Sequence, residues 1–546
     1  MKMKIIRKTT ILSSCALILA GCAKTSIDSE TLDETISLEK SEAQTETDAL
    51  TESASESAEE TEMNRDWPTS KKQIEEKYPD KTVLTWVYSD FNYIAPALSS
   101  AVNEYLNETG ASYVIYFDEV AEDGFEDEIN RRIAAGEAPD IISQHIGYGG
   151  YASGMTRALK NDWVLQIDDY LQTEEGQKLW ESIPEKYWDL CSYYGHYYGY
   201  STHMIATSDT YAYYVNTALM EKYGISEEEL AETDLADMGD IFAKVYEGEN
   251  GNVNILKFSS DSALRVNTSG MFSTLVDSCN VQSDAFVFNL RTEEREIVNL
   301  FEDEDAVAYF TALSEYNQAG YFDDGGDTFL IPSYNYLYGE GDVSYKNFGG
   351  EDNVTIIERS GKELSQQIYS MITVCKASEY QAEALSAITV TATDIELSTM
   401  LLNGVEGIDY TIEDGKVTDI FDYSEDKSSV GIVYPSFGNF FNCTALSDEP
   451  WDTEDRTAVL FEMVENAPLS EQRNCVIYLK EFETQVDEIQ SIVQDYKTGL
   501  YAGTYDDVPA VLEELNERLK KAGIDEVLEE ANRQLNADEL PAALFE

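Results

Sequence analysis

The chain has 546 residues, 105 of them Asp or Glu and 37 Lys or Arg, for a formal net charge of −68. That charge excludes a basic nucleic-acid-binding face and disfavours strongly anionic ligands by long-range repulsion. The length and the 43% hydrophobic content suffice for one or two large cores, and the length favours two lobes.

The chain opens with Lys2, Lys4, Arg7 and Lys8, followed by an apolar run from Ile11 to Ala20. That run is too short to remain as a membrane-spanning helix. It leads into Leu19-Ala20-Gly21-Cys22, which predicts a lipoprotein signal peptide over 1–21. Cys22 then becomes the acylated (palmitate-type) mature N-terminus. The alternative is an ordinary secretory signal with a chance cysteine. Either way the mature chain is expected outside the cell. With the lipid it sits on the extracellular face of the membrane, as in Gram-positive bacteria. From 22 to 67 the sequence is rich in Ser, Thr, Glu and Ala and almost free of aromatics. Such a stretch cannot bury enough surface to fold and is expected to be a disordered tether. Its typical reach is about 35–40 Å, more with charge repulsion. The remaining cysteines, Cys191, Cys279, Cys375, Cys443 and Cys475, form no CxxC pair. They predict buried apolar residues, with neither a zinc site nor a disulfide framework.

Past Trp67-Pro68, Thr82 to Tyr88 is β-branched and aromatic and predicts a strand. Ile94, Leu98, Val102, Tyr105 and Leu106 recur at helical spacing. Tyr113 to Phe117 predicts a second strand, Phe125 to Ala135 a helix stopped by Gly136, and Ile141 to Ser143 a short buried strand. This β-α-β-α-β run implies a parallel sheet with right-handed crossovers. Ligands of open α/β sheets bind beyond the carboxyl ends of the strands, here near Tyr88-Ser89-Asp90 and Ser143-Gln144-His145. The C-terminus from about Glu481 is predicted to be helical, with amphipathic segments Val511 to Leu519 and Glu526 to Leu535 broken at Ala522-Gly523.

Several blocks in order resemble a known family. They are GEAPDIIS at 136–143, His196-Tyr197-Tyr198-Gly199-Tyr200-Ser201, and Tyr213-Tyr214-Val215-Asn216 followed by Glu221-Lys222-Tyr223-Gly224-Ile225. YGEGDVSY at 338–345, NGVEGIDY at 403–410 and KAGIDEVLEEANRQL at 521–535 complete the series. Together they resemble the extracellular solute-binding proteins (family 1, maltose-binding-protein-like) of ABC sugar importers. Two details depart from that pattern: Thr202 stands where the family often has Pro, and YGEGDVSY lacks the usual small-residue-Met ending. The resemblance implies an α/β, two-lobed periplasmic-binding-protein-like fold (type II) hinged between its lobes. It places 68–202 plus 373–428 in lobe 1 and 203–372 plus 429–546 in lobe 2. It also implies a monomeric, non-enzymatic receptor without cofactor, which captures a carbohydrate in the inter-lobe cleft and passes it to membrane permease subunits.

Sugar recognition needs aromatic faces against the C–H side of the ring and polar groups for the hydroxyls. The chain carries 36 Tyr, 20 Phe and 6 Trp, enough to line a cleft even if half of the tyrosines fill core gaps. The first post-strand loop offers Tyr88 and Asp90. The glycine-rich loop after the third strand offers Gln144, His145, Tyr148 and Tyr151. His203 follows the expected first crossing. Asn347 and Phe348 follow the YGEGDVSY block, and YPSFGNFFN offers Tyr434, Phe437 and Phe440. Each has an ordinary structural reading beside it: connector, core packing, or a structural histidine. Aromatic density and the long-form blocks favour an oligosaccharide, and the acidity favours a neutral one.

The competing readings are a surface carbohydrate-active enzyme using the same cleft and an adhesion or sensor lipoprotein on the same fold. The sequence offers little for either. Three histidines give no HExxH and no zinc triad, and no nucleophile elbow is present. Asp323-Asp324-Gly325-Gly326-Asp327 could collect a calcium ion but matches no EF-hand loop, so a solvated acidic turn is expected.

Overall fold

The computed structural model describes residues 67–89, 92–122, 124–145, 154–201, 212–257, 272–274, 285–289, 296–322, 328–333, 353–358, 370–413, 415–418, 430–432, 437–444, 466, 476–537 and 539. The signal segment, Cys22, the tether and the Asp323–Asp327 turn lie outside them. In chain order the strands that matter are β1 (Thr82–Ser89), β2 (Asn92–Ile94), β3 (Tyr113–Val120), β4 (Ile141–His145), β5 (Gly199–Tyr200), β6 (Ala212–Asn216), β7 (Asn254–Leu256), β8 (Phe272–Thr274), β9 (Phe286–Asn289), β10 (Ile297–Asn299), β11 (Thr328–Ser333), β12 (Val354–Glu358), β13 (Ser370–Val374) and β14 (Val430–Ile432). The helices are α1 (Pro96–Glu108), α2 (Phe125–Ala135), α3 (Gly154–Lys160), α4 (Glu304–Gln318), α5 (Gln381–Thr393), α6 (Ile395–Asn403), α7 (Glu483–Tyr501), α8 (Val508–Ala522) and α9 (Ile524–Leu535).

The first sheet has the order β3-β1-β4-β13-β5. β1 runs parallel to β3 and β4, as the alternation of strand and helix requires, while β13 is antiparallel to both β4 and β5. α1 starts with Pro96, whose missing N–H falls where a helix has no intrahelical acceptor. α2 stops at Gly136, which takes a left-handed φ of 73° while its N–H returns to Ile133 O and that of Glu137 to Arg132 O. β3 is an edge strand, and its outward backbone is covered by a side chain. Asn103 of α1 accepts from Ile115 N at 2.6 Å and donates to Ile115 O at 2.8 Å. An amide thus stands in for a neighbouring strand.

Two of the blocks that carried the family resemblance turn out to hold this lobe together. In GEAPDIIS, Asp140 is buried; its Oδ2 accepts from Thr85 N at 2.8 Å, and its Oδ1 accepts from Ser378 Oγ. Asp140 therefore ties the start of β4 to β1 and to the turn after β13. Asp140→Ala is expected to cost about 1–3 kcal/mol by leaving the Thr85 N–H buried and unpaired; an unchanged unfolding midpoint would contradict this role. In NGVEGIDY, Gly404 has a φ of 94°, and a Cβ there would lie 2.4 Å from Asp409 Oδ2. The same oxygen accepts from Val405 N at 2.7 Å, closing the turn after α6.

The second sheet has the order β12-β6-β11-β7, with β6 antiparallel to both β12 and β11. A three-stranded antiparallel sheet, β8-β9-β10, and helices α4, α7, α8 and α9 complete its core. The helical C-terminus follows the expected pattern, with Gly523 at a φ of 91° ending α8. Two large hydrophobic clusters result, one around each main sheet.

The connections between these cores correct the expected boundaries. The boundary at 372/373 would cut β13, but that whole strand pairs in the first sheet from Ser370 onward. The crossing at 428/429 is not where the chain changes lobes. β14 pairs with β2, and Phe437 is part of the first core. Among the described residues, the change from first core to second comes at Val476–Leu479. Val476 and Tyr478 are in the first core, Ile477 and Leu479 in the second. The other two passages, β5 to β6 and β12 to β13, run through 202–211 and 359–369, outside the described residues.

Candidate functional site

Strand direction alone brings two sheet edges together. β1 and β4 end at Ser89 and His145, and antiparallel β13 begins at Ser370, opposite His145. β5 ends at the same edge, since Tyr200 pairs with Ile372. In the second sheet β6 begins at Ala212, opposite the ends of β11 and β12 at Ser333 and Glu358. Two of the lobe connections join these edges. The carboxyl ends of β1 and β4 therefore face the joint between the lobes, the position at which open α/β sheets bind ligands.

Gly199 shapes the strand that leads into the first connection. A Cβ at this position would lie 2.2 Å from Ile372 O, so only glycine lets β5 pack on β13.

At the first edge, one face of the sheet is aromatic. Trp86, Tyr88 and Phe117 surround Phe437, with ring centroids 5.5, 5.2 and 5.7 Å from it. Trp86 Nε1 donates to Ser143 Oγ at 2.9 Å. Tyr88 is 2% exposed and its hydroxyl accepts from Ile94 N at 3.4 Å. The other face carries polar side chains among the apolar Val87, Ile142 and Met371. Gln144 is 2% exposed; its Nε2 donates to Thr373 Oγ1 at 3.3 Å, and that hydroxyl donates to Ile142 O at 2.9 Å. Gln144 Oε1 and Ser89 Oγ are both buried without a hydrogen-bond partner. Continuing the Trp86–Ile141 and Val87–Ile142 pairing by two residues sets Ser89 beside Gln144 on the same face. Neighbouring strands are about 4.8 Å apart, so the two residues sit side by side at the strand ends. A buried polar atom left unpaired costs about 1–3 kcal/mol, so a hydrogen-bond partner from outside the chain would be favoured at each of these two atoms.

The candidates fare differently. Tyr88 and Gln144 lie at the same edge but on opposite faces of the sheet: Tyr88 packs against Phe437 in the first core, and beside Gln144 stands Ser89, which sequence reasoning missed because a serine at a strand end is unremarkable. His145 closes β4, with its side chain outside the described residues. Asp90, Tyr148, Tyr151, His203, Asn347, Phe348 and Tyr434 also lie outside them. Phe437 and Phe440 were expected on the second lobe, and packing corrects this. Phe437 is fully buried among first-lobe aromatics and is core. Phe440 is half-buried in a short turn held by Asn439, whose Nδ2 donates to Ala392 O at 2.9 Å and Ser182 O at 3.0 Å. Asn439 Oδ1 accepts from Phe441 N at 2.9 Å, so this one side chain pins the whole turn to the first lobe.

Among the described residues, two buried cysteines are held as thiols. Ser201 N donates to Cys191 Sγ at 3.1 Å, yet full burial pushes that thiol up to about 12. Burial likewise pushes Cys375 up to about 11. Neither is a thiolate nucleophile at neutral pH. Among the described residues no group of three or more His, Cys, Asp or Glu side chains is placed to hold a metal ion.

Comparison with known proteins adds to this geometry. Residues 479–537 match a family model described as a domain of unknown function (DUF3502), which covers α7 to α9. No curated protein matches the chain by sequence. Among solved structures, the N-glycan transport solute binding protein (NgtS) from Streptococcus pneumoniae aligns with a TM-score of 0.63 at 16% identity, covering 84% of this chain and 98% of that one. Its complex with Man1GlcNAc aligns at 0.53, with 16% identity and 84% and 99% coverage. An extracellular solute-binding protein from Bifidobacterium longum subsp. infantis aligns at 0.52, with 12% identity and 84% and 98% coverage. At these identities the likeness establishes the architecture: the chain has the two-lobed fold of solute-binding proteins.

Proposed function

We propose that this chain is the substrate-binding lipoprotein of an ABC importer, moored through Cys22 on the extracellular face of the membrane. It captures a neutral oligosaccharide between its lobes and hands it unaltered to the permease. The observation that carries this reading is the pair of orphan acceptors, Gln144 Oε1 and Ser89 Oγ, at the strand ends that face the lobe joint. Sugar hydroxyls are the donors that suit them. The aligned N-glycan transport protein, seen with Man1GlcNAc, supports a glycan as the class of ligand. The net charge of −68 favours a neutral one over uronates.

Calorimetric titration with a panel of neutral and acidic oligosaccharides tests this. One-to-one binding of a neutral glycan is expected, with uronate oligomers silent. Gln144→Ala is expected to weaken binding by roughly tenfold, the equivalent of one buried hydrogen bond to a ligand hydroxyl, and to lower the melting temperature modestly, since the bond to Thr373 is lost with it. Silence across the neutral panel would overturn the reading, and release of shortened glycans would transfer the chain to the enzymes. Cys22→Ser is expected to release the protein into the medium and abolish incorporation of a palmitate analogue. Retention of labelling would show that the lipid sits elsewhere.

A further inference from the structure

α9 projects two side-chain amides that each grip one residue's backbone on both sides. Asn532 accepts from Ile297 N and donates to Ile297 O, both at 2.8 Å. Gln534, 1% exposed, accepts from Tyr478 N at 2.6 Å and donates to Tyr478 O at 2.9 Å. The second N–H of Gln534 donates to Glu530 Oε1 at 2.7 Å, which fixes the amide's orientation, since the flipped form would set oxygen against carboxylate. Asn103 does to Ile115 what Asn532 does to Ile297, each joining a helix to a strand of its own lobe.

The Gln534 clamp is the exception. Tyr478 belongs to the segment that crosses between lobes, and its side chain is 5% exposed in the first core. Its backbone, however, is held by a helix of the second. Two residues earlier, Val476 N donates to Tyr194 Oη of the first lobe at 3.4 Å. Val476 and Tyr478 fill the first core while Ile477 and Leu479 fill the second. The crossing is thus stapled to the first lobe at Val476 and to the second at Tyr478, with one residue between.

We propose that Gln534 and Tyr194 fix the third crossing from opposite lobes, so that lobe movement turns on the backbone torsions around Ile477. The helical unit matched by the DUF3502 model then has a mechanical role, because its last helix holds the pivot. Gln534 is a positioning residue, acting through the backbone of Tyr478. It would set the open–closed balance, and through it ligand affinity, because binding energy spent on moving lobes depends on where they pivot. The consequence for ligand rests on the function proposed above; the pivot itself is testable without any ligand.

Hydrogen exchange of the full chain provides the test, with spin labels at the exposed Glu108 of α1 and Glu513 of α8 reporting the distance between lobes. In Gln534→Met, exchange at 476–479 is expected to rise at least about tenfold, since both buried hydrogen bonds to Tyr478 are lost, and the distance distribution to broaden. Gln534→Asn, one methylene too short to reach, should do the same. Asn532→Met removes an equivalent clamp inside the second lobe. It should raise exchange at 296–299 yet leave 476–479 and the distance distribution as in the wild type. Unchanged exchange at 476–479 in both Gln534 variants would overturn the proposal, as would identical changes from Asn532→Met. Neither outcome bears on whether a glycan binds, which the titration decides separately.

Discussion

Arg157→Met is expected to destabilise the first lobe by about 3–5 kcal/mol, among the largest losses available to a single substitution in this chain. Arg157 on α3 pairs with Glu122 at 2.9 Å, and the two side chains are only 6% and 8% exposed. The guanidinium also lies 4.8 Å from the ring centre of Phe125, the first residue of α2. Methionine can replace the stem packing but leaves Glu122 charged and buried without this cation. The cost is therefore the desolvation of a carboxylate that has lost its counter-charge, more than the loss of an attraction. The double variant Arg157→Met/Glu122→Leu removes both charges and should recover most of the loss. Urea unfolding of the two variants checks this. Equal midpoints for the single variant and wild type would show that water reaches the pair. α3 is also the helix that takes up the chain after β4, so its displacement should weaken any ligand that engages Gln144.

Phe437→Ala carries the second large effect, about 3–5 kcal/mol. The ring is fully buried and centres the aromatic group of Trp86, Tyr88 and Phe117. Beside it, Gly438 has a φ of 71°, and a Cβ there would lie 2.8 Å from Ser398 O, so the segment is seated tightly on α6. Two readings of Phe437 diverge cleanly. A cleft-lining ring would lose affinity when truncated while the melting temperature held. A core ring loses stability first. Thermal unfolding and titration on the same preparation distinguish them. A variant with wild-type melting and lost binding would return Phe437 to the cleft.

Much of the first lobe was legible because its pattern is local. Alternating β-branched strands and 3.6-period helices from Thr82 to Ser143 reproduce the observed elements closely, and the helix over Phe125–Ala135 matches to the residue. Gly136 and Gly523 marked helix ends because their left-handed φ is a backbone requirement that composition reveals. The lobe boundary was not legible. Val476 to Leu479 alternates between two apolar cores, so neither side is polar and nothing distinguishes it from an ordinary buried strand. YPSFGNFFN misled for a related reason. Its aromatic density suits a sugar cleft and a core equally, and what decides is Asn439, whose hydrogen bonds reach residues far away in sequence. Gln144 was visible by its place after a strand. Ser89 was not, since its importance lies in a partner it lacks.

Capture between two moving lobes is tested most directly by the distance between labels at Glu108 and Glu513, measured with and without the neutral oligosaccharide that binds best. One shorter and narrower distance is expected when the sugar is bound. An identical distribution in both states, with binding confirmed in the same sample, would contradict lobe closure on the ligand.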